Sequence, residues 1–474
     1  MSPDDPRLLL YVLREHFLSF LRKCFGQLNP GEIFLANWHL QAIAWQLERV
    51  RRGELRRLII EVPPRSLKSV SVSVAFPAFL LGHEPNRKLI SVSYSQDLAI
   101  KHAADCRAVM LSDWYQRLFP HTRLSATKNQ EANYETTQRG YRYATSIGGT
   151  LTGRGGDILI IDDPIKPEDA MSEARREATN AWYSRTALSR LNNKATNAII
   201  IVQQRLHLND LAGHVRALDD WTVLTLPAIA EVDERIPIGP GRFYQRRAGE
   251  ALHPAREPLA VLETLRRSLG SSVFNAQYQQ RPVAADGDIV KWHWFPRYDQ
   301  PPPRQRMAIH QSWDTASKPD EHCDWSVCTT WGVLGDDQLY LLDLHRARHD
   351  FPALKRAVLE QASRWKPDHL IIEDKGVGTP LIQQLRAERH PNVPTITPFV
   401  PKEDKLTRLH AQSARIEAGE VWLPQRAPWL DGLRAELAAF PQGKHDDQVD
   451  SLSQYLTWHF QRWRRRTIVR PLRM

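Results

Sequence analysis

The sequence predicts an α/β protein made of two successive sheet domains, and three observations carry that expectation. Short, almost wholly apolar segments such as LIIEV and ILIID alternate with helix-sized stretches through the first half. That alternation belongs to a mostly parallel sheet covered on both faces. The texture then turns rich in Pro, Gly and charge over residues 231–304. Beyond it a second strand set begins, with an antiparallel hairpin first and a parallel strand and helices after it.

The elements follow in order. NWHLQAIAWQLERV (37–50) places Leu40, Ile43, Ala44, Leu47 and Val50 at helical spacing, with Asn37 in the N-cap position. Residues 55–62 and 88–95 read as buried strands. Between them SVSVSVAFPAFLLG is expected to be helical despite its β-branched residues. Further apolar strands fall at 158–162, 197–204 and 221–226. A connector with one helical piece (259–270) leads to PPPR (301–304), the expected boundary. Strands at 308–314, 325–333, 338–345 and 369–373 follow, the middle pair joined across residues 334–337. Helices are expected at about 352–365, 379–389, 404–418 and 429–440. This is the strand order of an RNase H-like nuclease domain. The division is therefore 1–230, a P-loop (RecA/ASCE-like) domain; 231–304, a connecting segment; 305–460, the RNase H-like domain; and 461–474, a basic tail.

Bulk properties narrow the class. A chain of 474 residues exceeds one ordinary core. Its 42% hydrophobic and 25% charged residues suit a folded protein. No run of 18 apolar residues is present, and MSPDDPRLLL lacks the pattern of a secretory signal, so a cytoplasmic protein without a membrane segment is expected. The four scattered cysteines agree with a reducing compartment, and His322, Cys323 and Cys328 match no common zinc spacing. The net charge of +10, with six arginines in residues 461–474, favours a polyanionic partner.

Two sets of strand-end residues carry chemistry. A phosphate-binding loop needs a strand, a turn offering backbone N–H groups, a Lys and a Ser or Thr before a helix. Lys68 and Ser69 satisfy this after LIIEV, with Arg65 as a second cation. Val62 and Leu67 occupy both glycine positions of that consensus. ILIIDD then puts Asp162 where it can hold Mg²⁺, and Asp163 where it can orient the attacking water. Arg154, in GGTLTGRGGD, is a candidate arginine finger toward ATP, in cis or on a neighbouring subunit. Gln203, Gln204 and Arg205 end another strand as candidate γ-phosphate sensors, and Gln41 is a candidate contact to adenine. In the second half, Asp314 ends SWD, Glu373 ends HLIIE, and Asp446, Asp447 and Asp450 crowd the start of a helix. Converging carboxylates at that spacing suit divalent metal for phosphodiester cleavage. A helix start also favours acidic residues through its dipole alone. Asp324, Lys375 and His445 are secondary candidates.

These segments resemble, in order and spacing, the large subunit of tailed-phage terminases in the form carried by prophages. VPPRSLKS, SVSYS, TGRGGDILIIDDPIK, IVQQRLHLNDLAG, SWDTASK, IIEDKGVG and KHDDQVDSLSQ carry the resemblance over about residues 35–460. It implies an ATP-driven motor that moves double-stranded DNA into proheads, with a C-terminal endonuclease that cuts concatemers. It further implies ATP and Mg²⁺ (or Mn²⁺ at the nuclease) and a homo-oligomeric ring on a portal protein. A small terminase subunit and action in the bacterial host cytoplasm are also implied. Lys68, Ser69, Asp162 and Asp163 match the family's ATPase positions. Asp314, Glu373 and one of Asp446 or Asp447 match its nuclease acids, whereas Gln204 stands where family coupling motifs often carry Thr or Ser. Two other classes fit parts of the chain. A helicase or translocase would need a second RecA-like lobe after IVQQR. A resolvase- or transposase-type nuclease would leave Lys68 dispensable.

Overall fold

The computed structural model describes residues 6–151, 153–282, 289–315, 325–335, 338–441, 443 and 445–468. The chain divides into two compact units, Met1–Arg266 with Ser271–Ala284, and Arg267–Gly270 with Ala285–Met474.

Eight strands form the first sheet among the described residues. They are β1 (Arg57–Glu61), β2 (Lys88–Ser93), β3 (Leu124–Asn129), β4 (Asn133–Thr136), β5 (Tyr141–Ser146), β6 (Ile158–Asp162), β7 (Ala198–Gln203) and β8 (Thr222–Thr225). Their order is β3-β4-β5-β2-β6-β7-β1-β8. From β5 to β8 along that order the strands pair in parallel, and the β3-β4-β5 edge is antiparallel. The apolar runs are continuous because both faces are covered. Leu58, Ile60, Ile160 and Ile200 enter one core, while Ile59, Ile161, Ile199 and Ile201 enter the other. The five strands expected here are present. The edge strands β3 and β4 went unread because their polar sequences, LSATKN and NYET, carry no apolar signal. SVSVSVAFPAFLLG is helical as expected, but it opens as a π-helix over Val70–Ala75 and becomes regular over Phe76–His83. Pro77 falls at the junction of the two parts. The helix Trp38–Arg51 is also present, yet Asn37 makes no cap bond; its amide is engaged elsewhere.

The expected connector is not a separate body. The hairpin β9 (Glu234–Gly239) and β10 (Arg242–Arg246) belongs to the first unit, with Trp38 stacked on Tyr244 at 4.4 Å. The second unit takes in Arg267–Gly270 and Ala285–Met474, so PPPR lies within it.

The second unit holds β11 (Arg297–Tyr298), β12 (Ala308–Asp314), β13 (Ser326–Leu334), β14 (Gln338–Ala347), β15 (His369–Glu373), β16 (Ile396–Phe399) and β17 (Val421–Pro424). The order is β11-β17-β14-β13-β12-β15-β16. β12-β13-β14 run antiparallel, and β15 joins β12 in parallel. Fully buried Trp313 and Trp331 lie in the two separate cores of this sheet. The four expected helices are present at Phe351–Trp365, Gly378–Glu388, Lys405–Glu417 and Leu430–Ala439. A last helix, Asp447–Ile468, runs into the segment read as a basic tail. His322, Cys323 and Asp324 lie outside the described residues, and Cys328 is buried in β13. Among the described residues no helix is long and apolar enough to cross a membrane.

Candidate active sites

In the first unit, β7 lies between β1 and β6, so the loop after β1 and the acids after β6 flank the tip of β7. The loop reaches across that tip. Lys68 Nζ is 2.9 Å from Asp163 Oδ1. Ser69 Oγ donates to Asp162 Oδ1 at 3.1 Å, and Ser73 Oγ donates to Asp162 Oδ2 at 2.6 Å. Sequence reasoning missed Ser73, whose only signal is its place four residues after Ser69. Burial pushes both carboxyls upward. Ser73, Lys68 and Ser69 pull Asp162 back, and Lys68 pulls Asp163 back. Asp163 takes a left-handed backbone (φ 44°) and accepts from Gln204 N at 3.3 Å. His102 Nδ1 lies 3.5 Å from Asp162, and burial lowers its pKa to about 4, so this imidazole is neutral at physiological pH.

A cavity of about 830 Å³ opens over this cluster. Arg65, Lys68, Lys101 and Arg256 supply positive charge to its walls, against Glu32 and Asp163, and Gln204 lines it too. The buried Oε1 of Gln204 has no hydrogen-bond partner among the described residues. The glycine-free loop achieves the required turn at a cost. Arg65 and Leu67 adopt φ 62° and 60°, a conformation worth about 1–2 kcal/mol of strain for a residue with a Cβ.

Three other expected residues lie elsewhere. Arg205 does not face the cavity. It is buried between Glu61 (3.2 Å) and Asp210 (2.9 Å) and donates to the carbonyls of His207 and Leu208. Glu61 also pairs with Arg216 at 2.7 Å, so this strand-end arginine closes an ion network. Arg154 lies 4.3 Å over the Tyr143 ring and bonds Asn133 at 3.2 Å, beside β5. Four strand spacings separate β5 from β1, and Arg154 is not among the residues lining the cavity. Gln41 sits on the helix Trp38–Arg51 and is not among the residues lining the cavity.

In the second unit, Asp314 and Glu373 end neighbouring parallel strands, in register one step beyond Trp313 and Ile372. The start of the helix Asp447–Ile468 is pinned against them. Ser451 Oγ donates to Ser312 O at 2.8 Å, and Gln454 Nε2 donates to Ser312 Oγ at 3.0 Å. Glu436 accepts from the N–H groups of Gln448 and Val449, which satisfies the helix N-terminus. This docking brings Asp450 to Asp314. Burial first, then the charges of Asp450 and Glu373, pushes the Asp314 carboxyl well above the usual range, and it hydrogen-bonds to Glu373. Asp450 is itself raised to about 6 by burial, against the pull of Lys405 and Arg408. Asp447, expected in this cluster, lies 4.0 Å from Arg346, and Asp446 is 2.8 Å from Lys405. Lys405 also contacts Asp450, and Arg408 Nη2 reaches Asp450 at 2.6 Å. Among the described residues no three His, Cys, Asp or Glu side chains are grouped closely enough to hold an ion. The donor chemistry nonetheless fits a divalent cation. Asp314 and Glu373 offer carboxylate oxygens side by side, the charge of Asp450 acts on Asp314, and Lys405 and Arg408 neutralise Asp450.

Comparison with known proteins agrees with this fold. A family described as a terminase RNaseH-like domain matches residues 311–457. None of the curated proteins matches the chain significantly in sequence. Among solved structures, the chain is similar to the large terminase of a thermophilic bacteriophage in complex with ADP. The identity is 11%, the match covers 89% of this chain and 99% of that one, and the TM-score is 0.51. Another crystal form of the same phage's large terminase matches at 10% identity over 90% of this chain and 99% of that one, with a TM-score of 0.50. Residues 311–457 therefore match a terminase RNase H-like domain, and the fold of the chain as a whole is similar to that of a phage large terminase.

Proposed function

We propose that this protein is a packaging ATPase–endonuclease, which drives double-stranded DNA into proheads with ATP and cuts concatemers with metal. The observation that carries the reading is the convergence, within each unit, of strand-end residues far apart in sequence. Lys68, Ser69 and Asp163 line one cavity with Asp162 bonded to Ser69, and Asp314 hydrogen-bonds to Glu373 within reach of the charge of Asp450.

At the first site Lys68 and Arg65 neutralise phosphate charge, and Ser69 and Asp162 are the residues that would hold Mg²⁺. Asp163 orients the attacking water from a carboxylate fixed by Lys68 and Gln204 N, and Gln204 offers an amide to the terminal phosphate. At the second site Asp314, Glu373 and Asp450 would hold Mg²⁺ or Mn²⁺. The metal supplies a lowered water pKa and charge stabilisation at the departing oxygen. Asp446 and Asp447 then act from outside that set, on Lys405 and beside Arg346. Arg154 serves as a finger toward a neighbouring subunit in a ring on the portal, and a small subunit recognises the DNA. In this reading the protein works in the host cytoplasm.

Separate variants test the two halves. Lys68→Ala abolishes DNA-stimulated ATP turnover while Mn²⁺-dependent nicking persists. Asp314→Ala or Glu373→Ala stops cutting and spares ATP turnover. Unchanged turnover in the first variant removes the motor, and wild-type cutting in both of the others removes the nuclease.

A further inference from the structure

The phosphate loop holds two left-handed residues, Arg65 and Leu67, without a glycine between Pro63 and Ser69. Such a backbone persists only where neighbours over-determine it. The loop itself contributes one bond, Ser66 Oγ to Pro63 O at 2.7 Å. The helix that follows adds Ser71, whose N–H and Oγ both donate to Leu67 O, at 2.9 and 2.8 Å, and two further contacts come from outside the strand–loop–helix unit. His39 Nε2 lies 3.2 Å from Ser66 O, the carbonyl between the two strained residues. Arg256 Nη1 donates to Arg65 O.

The histidine is itself oriented. A carbonyl only accepts, so His39 carries its proton on Nε2 and its Nδ1 accepts. The donor is Asn37 Nδ2 at 2.6 Å, and the same amide nitrogen donates to Leu252 O at 2.7 Å. This chain of bonds accounts for the asparagine at the helix start that does not cap its helix. Burial keeps the imidazole neutral, so the relay is intact at physiological pH. Leu252 and Arg256 both follow the β9–β10 hairpin, in the stretch the sequence assigned to a connector.

We propose that His39 and Arg256 are positioning residues that clamp the glycine-free phosphate loop in its anion-binding shape, making nucleotide affinity depend on the 252–256 segment. This rests on the nucleotide site proposed above and goes beyond it. Glycine tolerates φ near 60° without help, so a glycine in the loop should make the clamp dispensable.

The test is titration of the full chain with mant-ATP and Mg²⁺, alongside its melting temperature. Arg256 is exposed, so Arg256→Ala leaves the core intact, and His39→Leu is the second variant. Each is expected to weaken binding about tenfold or more, and His39→Gln, which keeps a donor, to restore part of the loss. In a Leu67→Gly background the same substitutions should cost less than about threefold. Wild-type affinity in Arg256→Ala and His39→Leu overturns the clamp. An undiminished loss in the Leu67→Gly background also overturns it, because it would mean that these side chains act on nucleotide directly. If His39→Leu fails to fold, the Arg256→Ala series decides alone. Absence of mant-ATP binding by the wild-type protein sinks the nucleotide site instead, which keeps the two failures apart.

Discussion

Arg205 shows how one side chain can carry two readings that sequence does not separate. It ends an apolar strand beside two glutamines, as a phosphate sensor would, yet its guanidinium is engaged by Glu61, Asp210 and two carbonyls. Arg205→Ala would leave two buried carboxylates short of a partner, at a cost of about 3–5 kcal/mol. The expected outcome is a large drop in melting temperature, with unchanged nucleotide affinity in the fraction that stays folded. Loss of affinity without loss of stability would return Arg205 to the nucleotide site. His39 gives a pH test at the same scale. Its folded pKa of about 4 lies below the ordinary 6.5, so between those values the unfolded chain binds the extra proton. Stability from this group is therefore complete above pH 6.5 and falls as pH drops toward 4. The shift is worth roughly 3 kcal/mol at about 1.4 kcal/mol per pH unit. Thermal melts of wild type and His39→Gln should diverge over that window, and parallel curves would contradict the assignment.

At the scale of elements, each site is made by docking a helix or loop on strand ends. The helix Asp447–Ile468 reaches Asp314 because Ser451 and Gln454 bond Ser312, and the helix Lys405–Glu417 then brings Lys405 and Arg408 to the same carboxylates. Lys405 thus competes with any divalent ion for Asp450. Lys405→Ala should lower the melting temperature of the metal-free protein, because Asp450 and Asp446 lose a partner. It should also enlarge the rise in melting temperature produced by Mn²⁺. An equal or smaller rise in the variant removes the competition account. The i,i+3 spacing of Asp447 and Asp450 was visible in the sequence, but which of the two meets Asp314 depends on the rotation of the docked helix. Hydrogen bonds between residues 122 to 142 positions apart in sequence fix that rotation.

At the scale of the whole molecule, the placement of Arg154 bears on assembly. Arg154 is held beside β5 by Tyr143 and Asn133 and is not among the residues lining the cavity over Lys68, so the finger role proposed for it is toward a neighbouring copy's nucleotide. Arg154→Ala and Lys68→Ala should each be inactive as ATPases alone. Mixing them should restore a fraction of DNA-stimulated turnover, because mixed neighbours would include an intact Lys68 facing an intact Arg154. No recovery at any mixing ratio counts against a finger in trans. The two α/β sheets, their central strands and the strand-end acids were legible in the sequence, because buried strands must be apolar and their polar ends stand out against them. The polar edge strands β3 and β4 and the placement of the 231–266 stretch in the first unit were not legible, since neither carries a hydrophobic period.

The sequence by itself determined which residues stand at strand ends and therefore which can carry charge without burying it in a core. Tertiary structure alone decided their partners. It gave Lys68 to Asp163, closed Arg205 into an ion network, set the charge of Asp450 against Asp314, and made His39 and Arg256 neighbours of a loop far from them in the chain. The physical reason is range. Hydrophobic period is a local property of a segment, whereas a charged group's partner is set by which segments the packed cores bring within about 4 Å of it.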